Sequence, residues 1–498
     1  MTMRFDFDSE TRRKLGYKLI DQIDSFFTSL PNRAVQLPVE RRTYGELHDR
    51  LPELGDDAGK VLEDICREMM EKGFHVPSAN YFGLMNPTPT YMGVLAEALV
   101  AALNPQLATL ARSQLASKIE IETIRWIGER VGWPGDFSGT FTTGGNEANF
   151  SGVALALAAK FPEAIEDGIA SVPGRPVAYT SEESHHSLDK SAGLLGIGRK
   201  ALRRIAVNSS AQMMPQALQE AIARDKAERN QPFCVVATAG TTNSGSVDDL
   251  NAIADICTKE GLWLHVDGAY GASAIFSNNY RRLVSGIERA DSITVDPHKW
   301  LAVPFAAGVI LTSHPKVLQK AFSVAAPYMP KAAGATLPDN SRISTQWTRR
   351  MNSLKLWLTL RVHGRKAYEE HIDQQMKLAR DFANWIRESD QFELAMEPTF
   401  PIVTFQLKGV SPNQRAELHG KLVENFTADG QKYISDTLVR GQSVLRMMII
   451  SYLTEERHVI ELERRLAEDA RTVIALNLPT LQDSRTVKQP HLQVKETE

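Results

Sequence analysis

Apolar residues between Asp8 and Leu30 recur at three- and four-residue steps, at Leu15, Leu19, Ile20, Ile23, Phe26, Phe27 and Leu30. This spacing predicts an amphipathic helix. A second helical pattern covers about 57–72. A third, 90–103, is apolar nearly all round and predicts a buried helix, so residues 1–100 read as an N-terminal helical segment. Between Gly139 and Ser313 the pattern changes to short β-rich runs separated by helical stretches: FTT near 141, VAYT at 177, LRRIAV at 202, FCVVATAG at 233, WLHVD at 263, SITVD at 292 and GVILT at 308. Strands alternating with helices predict right-handed crossovers and a mostly parallel sheet covered on both faces. Ligand sites then fall at the carboxyl ends of the strands, which puts the ends of VATAG, HVD and TVD near one crevice.

The stretch APYMPKAAGATLPDN has the Gly, Pro and Ala content of a mobile loop, and a long helical pattern from about Trp347 to Glu388 follows it. From Phe400 the order is strand (IVTFQL), helix (Asn413 to Asn425), two strands (YISDTLV and SVLRMMIIS) and helix (Thr454 to Leu476), as in a small α+β domain. The expected division is 1–100 helical, 101–385 large α/β, 386–478 small α+β, and 479–498 a disordered tail.

The 498 residues are 43% hydrophobic and 23% charged, which excludes disorder as the main state. Lys plus Arg number 57 against 60 Asp plus Glu, so no global field favours nucleic acid or an anionic membrane. The run from Tyr91 to Leu103 is too short to span a bilayer and carries Glu97. Cys66, Cys234 and Cys257 are an odd set without CxxC spacing, and the N-terminus lacks the basic start and apolar run of a signal peptide. Both features predict a cytoplasmic protein.

Candidate chemistry lies at the strand ends. Lys299 follows a buried β-rich run in TVDPHKW, where loss of water would free its amine for a Schiff base. Taken alone, a lysine after a strand is more often a solvated surface residue. Asp267 ends LHVD, with Ala269 leaving room for a flat ring; a carboxylate there can pair with a protonated ring nitrogen or simply cap the next helix. Thr142 to Asn149, TTGGNEAN, joins a strand to a helix, which suits either a phosphate on backbone N–H groups or a plain tight turn. His185, in ESHHS, is placed to stack on an aromatic ligand, although such a histidine is usually structural. No HxxxH or HExxH spacing points to a metal. Taken together, phosphate cradle, stacking His, ring-pairing Asp and Schiff-base Lys are the parts that hold pyridoxal phosphate.

Over about residues 10–475 the sequence resembles the group II pyridoxal-phosphate-dependent amino-acid decarboxylases, relatives of aromatic-L-amino-acid and glutamate decarboxylase. The resemblance rests on TTGGNEANFSGVALAL, YTSEESHHSLDKSAGLLGIG, PFCVVATAGTTNSGSVDDL, LWLHVDGAYGASA, VDPHKWLAVPF, RRMNSLKLWLTLRVHG and VLRMMIIS. It implies the α/β architecture of fold type I pyridoxal-phosphate enzymes, with a mostly parallel seven-stranded sheet, and a homodimer whose partner completes the active site. It implies Lys299 as the Schiff-base lysine, Asp267 as partner of the pyridine nitrogen and His185 as the ring-stacking residue. Gly144, Gly145 and Asn146 fall at the phosphate, Thr242 and His298 beside the cofactor, and Tyr328 at the loop tyrosine that returns a proton to Cα.

The implied reaction is decarboxylation of an L-amino acid to its primary amine. The competing readings are a carbon–carbon lyase or an aldehyde-forming oxidative decarboxylase on the same fold, and a non-catalytic cofactor-binding protein, against which the retained Lys299, Asp267, His185 and Tyr328 argue. The chain departs from the aromatic-amino-acid enzymes at Asp296, where they carry Asn, and at Leu84, Met85 and Asn86, where they present aromatic side chains. Arg349, Arg350 and Arg446 suit either a substrate carboxylate or structural ion pairs.

Overall fold

The computed structural model describes residues 5–42, 51–133, 136–324 and 338–477. Its centre is a seven-stranded sheet built from β1 (Ser138–Thr142), β2 (Pro176–Ser181), β3 (Leu202–Ile205), β4 (Gln231–Thr238), β5 (Trp263–Asp267), β6 (Ser292–Val295) and β7 (Gly308–Thr312), in the order β1-β7-β6-β5-β4-β2-β3. All run parallel except β7, which pairs antiparallel with both β1 and β6. Strands β4 and β5 are buried along nearly their whole length. That is the burial a sheet covered by helices on both faces requires, and it explains why these strands read as continuous apolar runs. In register, Thr238, Asp267 and Thr294 stand side by side at the carboxyl ends of three adjacent strands.

A second, antiparallel sheet contains β8 (Phe392–Leu394), β9 (Ile402–Leu407), β10 (Ser435–Val439) and β11 (Gln442–Met448), in the order β10-β11-β9-β8. Helices Pro412–Thr427 and Glu456–Asn477, with the end of helix Ser353–Glu388, close a core of Phe382, Phe405, Leu422, Met447 and Leu466. Helix ends follow local chemistry. Asp8, Asp57, Thr90 and Asp249 each accept a backbone N–H from the first turn. Gly132 and Gly261, at φ 101° and 67°, end helices in the left-handed conformation that glycine adopts freely.

Three features differ from the sequence reading. The long helix begins at Ser353 rather than near Trp347, because residues 349–352 form an irregular segment. Gly364, at φ 75° and ψ 168°, interrupts it and sets a kink. Helix Gln114–Val131 and strand β8 are additional elements.

Candidate active site

Strand β1 runs into Gly144 and Gly145, where helix Gly145–Lys160 begins. A Cβ added at Gly144 would stand 3.1 Å from the His298 ring, and one at Gly145 would stand 2.7 Å from Asp296 Oδ2. The two glycines therefore let His298 and Asp296 approach the turn closely, and the crevice they line adjoins first-turn N–H groups that have no acceptor within the helix. An anion such as phosphate fits that space. Glu147 fastens the turn: it accepts Thr143 N–H and Oγ–H, each at 2.8 Å, and Gln346 Nε2 at 2.7 Å. Burial opposes its charge, but these bonds bring its pKa below the ordinary value.

Asp267 ends β5 and is 5% exposed. Its Oδ2 accepts Asn149 Nδ2 at 2.8 Å and its Oδ1 accepts Ala269 N–H at 3.1 Å. The loop after β6 turns at Lys299, whose N–H donates to Asp296 O at 2.9 Å and whose Nζ lies 3.3 Å from Asp296 Oδ2. Asp296 thus sits beneath the glycine cradle, its charge countered by Lys299. His298 Nδ1 accepts Ala307 N–H at 3.0 Å, and burial lowers the pKa of its ring. The histidine pair after β2 divides. His186 points to solvent and pairs with Asp189, whereas His185 faces the crevice and accepts Ser187 N–H on Nδ1 at 3.1 Å. Loss of water between the crevice walls lowers the His185 pKa, against the pull of Asp267.

Gly144, Gly145, Asn146, His185, Thr242, Asp267, Ala269, His298 and Lys299 line one crevice of about 330 Å3, within the range of small-molecule sites. Tyr328 lies outside the described residues. Two buried oxygens of the crevice, Thr238 Oγ1 and Asp296 Oδ1, have no hydrogen-bond partner. An anion cradle, a recessed carboxylate opposite a lysine amine, and an unpaired hydroxyl between them fit pyridoxal phosphate. Among the described residues no cluster of three His, Cys, Asp or Glu side chains suits a metal.

The arginines resolve differently. Arg349 pairs with Glu120 at 2.7 Å, both side chains all but fully buried, and also donates to Phe141 O at 3.1 Å. Arg350 pairs with Glu97. These two are structural. Arg446 reaches Ser435 Oγ at 3.1 Å and Thr242 O at 3.0 Å, which brings it to the edge of the site. Sequence reasoning missed Glu147, Asn149 and His265. Asn149 stands one turn after Gly145, and His265 shares a face of β5 with Asp267, so their spacing carried a signal.

Residues 41–408 match the model of the pyridoxal-dependent decarboxylase conserved domain. The chain is 29% identical over 472 residues to an aromatic-L-amino-acid decarboxylase of Bacillus atrophaeus, covering 94% of this chain and 97% of that one. It is 29% identical over 475 residues to a phenylacetaldehyde synthase of Arabidopsis thaliana, covering 93% and 96%. A crystal structure of mouse CSAD superposes with a TM-score of 0.85 at 25% identity, covering 93% of this chain and 99% of that one. The chain therefore belongs to the pyridoxal-dependent decarboxylase family, and it is a carboxy-lyase that works with pyridoxal phosphate.

Proposed function

We propose that the chain removes the α-carboxylate of an L-amino acid to give the primary amine and CO2, with Lys299 as the residue whose amine holds the cofactor as a Schiff base. The observation that carries this reading is the placement of Lys299 and Asp267, from the ends of β6 and β5, on one crevice with the glycine cradle. When bound, pyridoxal phosphate supplies the conjugated ring that takes up the electron pair released as CO2 leaves. Gly144, Gly145 and Asn146 hold its phosphate on backbone N–H groups. Asp267 keeps the pyridine nitrogen protonated, and His185 stacks on the ring. Ala269 leaves the ring its space, while Thr242 and His298 close the sides. Tyr328 returns a proton to Cα of the substrate.

The proposal divides the chain at 100, 385 and 478 and pairs two copies in the cytoplasm. Helices Ser9–Ser29 and Ala58–Lys72 are both amphipathic, yet none of their residues is fully buried among the described residues, which supports a partner subunit. The cysteines Cys66, Cys234 and Cys257 are all free, which suits a reducing compartment.

The test is a panel of the common L-amino acids assayed together for CO2, amine and aldehyde, with Lys299→Ala as control. One substrate giving equimolar CO2 and amine, lost in the control, is expected. Aldehyde as the main product would favour the second reading, which the likeness to a phenylacetaldehyde synthase keeps in view. No CO2 from any amino acid would overturn the proposal.

A further inference from the structure

Behind Asp267 runs a chain of buried hydrogen bonds whose direction is fixed at both ends. Trp263 Nε1–H can only donate, and it donates to Ser292 Oγ at 2.8 Å. A carboxylate can only accept, and Asp267 Oδ2 accepts Asn149 Nδ2 at 2.8 Å. The same Nδ2 also donates to Ser187 Oγ at 3.1 Å, so both amide hydrogens are committed and Asn149 Oδ1 remains as an acceptor. His265 Nε2 lies 3.2 Å from that Oδ1 and 3.3 Å from Thr294 Oγ1; the amide oxygen can only accept, whereas the hydroxyl can accept as well as donate, so the arrangement that satisfies both puts the hydrogen on Nε2. Its bare Nδ1 then accepts the Ser292 hydroxyl at 2.8 Å. Every bond donates toward Asp267.

A second observation shows that the fold makes room for this imidazole. Gly152 lies inside helix Gly145–Lys160, where glycine is a poor choice. A Cβ there would stand 2.3, 2.4 and 2.7 Å from three atoms of the His265 ring. The ring is fully buried, and that burial pushes its pKa down to about 4, in agreement with a neutral imidazole carrying one hydrogen.

We propose that His265 is a positioning residue: its Nε2–H fixes the Asn149 amide with the NH2 toward Asp267, and that donor holds Asp267 as an anion aimed at the pyridine nitrogen. The inference rests on the reading of Asp267 as partner of that nitrogen. Without the His265 donor the amide oxygen loses its partner, and only the bonds of the NH2 to Asp267 and Ser187 oppose a turn that sets the oxygen against the carboxylate. Repulsion of that kind favours a protonated Asp267 and an unprotonated ring.

Two substitutions separate this role from simple packing. Gln at 265 places a donor near the position of Nε2, whereas Asn reaches only the position of Nδ1. The holoenzyme is reconstituted with cofactor carrying nitrogen-15 in the ring, and the nitrogen chemical shift reads its protonation. Wild type and His265→Gln are expected to share the protonated shift, with kcat within about threefold; His265→Asn is expected to move toward the unprotonated shift and lose about tenfold or more in kcat, with KM within about twofold. Asn149→Leu keeps the volume without either amide end and is expected to move the shift the same way, which covers the case in which His265→Asn does not fold. A wild-type shift in His265→Asn or Asn149→Leu, or equal shifts in the Gln and Asn variants, would overturn the inference. An unprotonated ring in the wild type would instead overturn the reading of Asp267.

Discussion

Replacing Asp267 with Asn removes a charge and leaves the shape of the site. The amide keeps an acceptor for Ala269 N–H but cannot act as the anion that stabilises a protonated ring nitrogen, so kcat at saturating cofactor is expected to fall about a hundredfold or more while the melting temperature stays nearly unchanged. Near-normal turnover would assign that role to another residue. Tyr328→Phe tests the opposite end of the reaction. Under the proposal, loss of CO2 does not need the phenol, whereas return of a proton to Cα does. The variant is therefore expected to keep cofactor binding and, in air, to form aldehyde, ammonia and hydrogen peroxide with consumption of oxygen and water, at the expense of amine. An unchanged amine yield with no aldehyde would remove Tyr328 from the mechanism.

At the scale of elements, His419 joins helix Pro412–Thr427 to the small sheet, accepting Leu407 N–H on Nε2 at 3.3 Å and meeting Ser443 Oγ through Nδ1 at 3.1 Å. Burial pushes its pKa down to about 4, from an ordinary 6.5. Between those values the unfolded chain binds a proton that the native ring refuses. Its stabilising contribution is therefore full above pH 6.5 and is lost as pH falls toward 4. His419→Gln is expected to flatten the dependence of urea-unfolding stability on pH by up to about 1.4 kcal/mol per pH unit in that window. An unchanged slope would show that the ring titrates normally. Strands β2, β4, β5, β6 and β7 were legible because each is a short, mostly apolar run closed by polar or small residues, whereas β1 (SGTFT) and β3 (LRRI) read as strands only from their place in the alternation. The crevice residues were legible because they end those runs. Helix Gln114–Val131 gave no clear period, since its buried face includes Ser117, Glu120, Thr123 and Gly128. The start of the long helix was misplaced because Arg349 is drawn toward Glu120, a partner 229 residues away in sequence. Asn149, His265 and Ser292 meet only when a helix and two strands pack, so no local pattern marks them as a set.

For the whole molecule, helices Ser9–Ser29 and Ala58–Lys72, in which no residue is fully buried, expose Tyr17, Ile20, Val61, Ile65 and Met69. A second copy covering that face is the partner the proposal requires. Light scattering of the active protein is expected to give about twice the chain mass of 55.3 kDa. An active species at the mass of one chain would contradict the dimer.

Lys299, among the chain's lysines, is the one expected to carry the cofactor. Borohydride reduction of the holoenzyme fixes a Schiff base as a stable secondary amine, and peptide mass spectrometry then locates the pyridoxyl group. The added mass is expected on the peptide containing His298 and Lys299, and is expected to be absent from Lys299→Ala treated in the same way. A reduced adduct on any other lysine of the active enzyme, or none on an enzyme that still releases CO2, would contradict it.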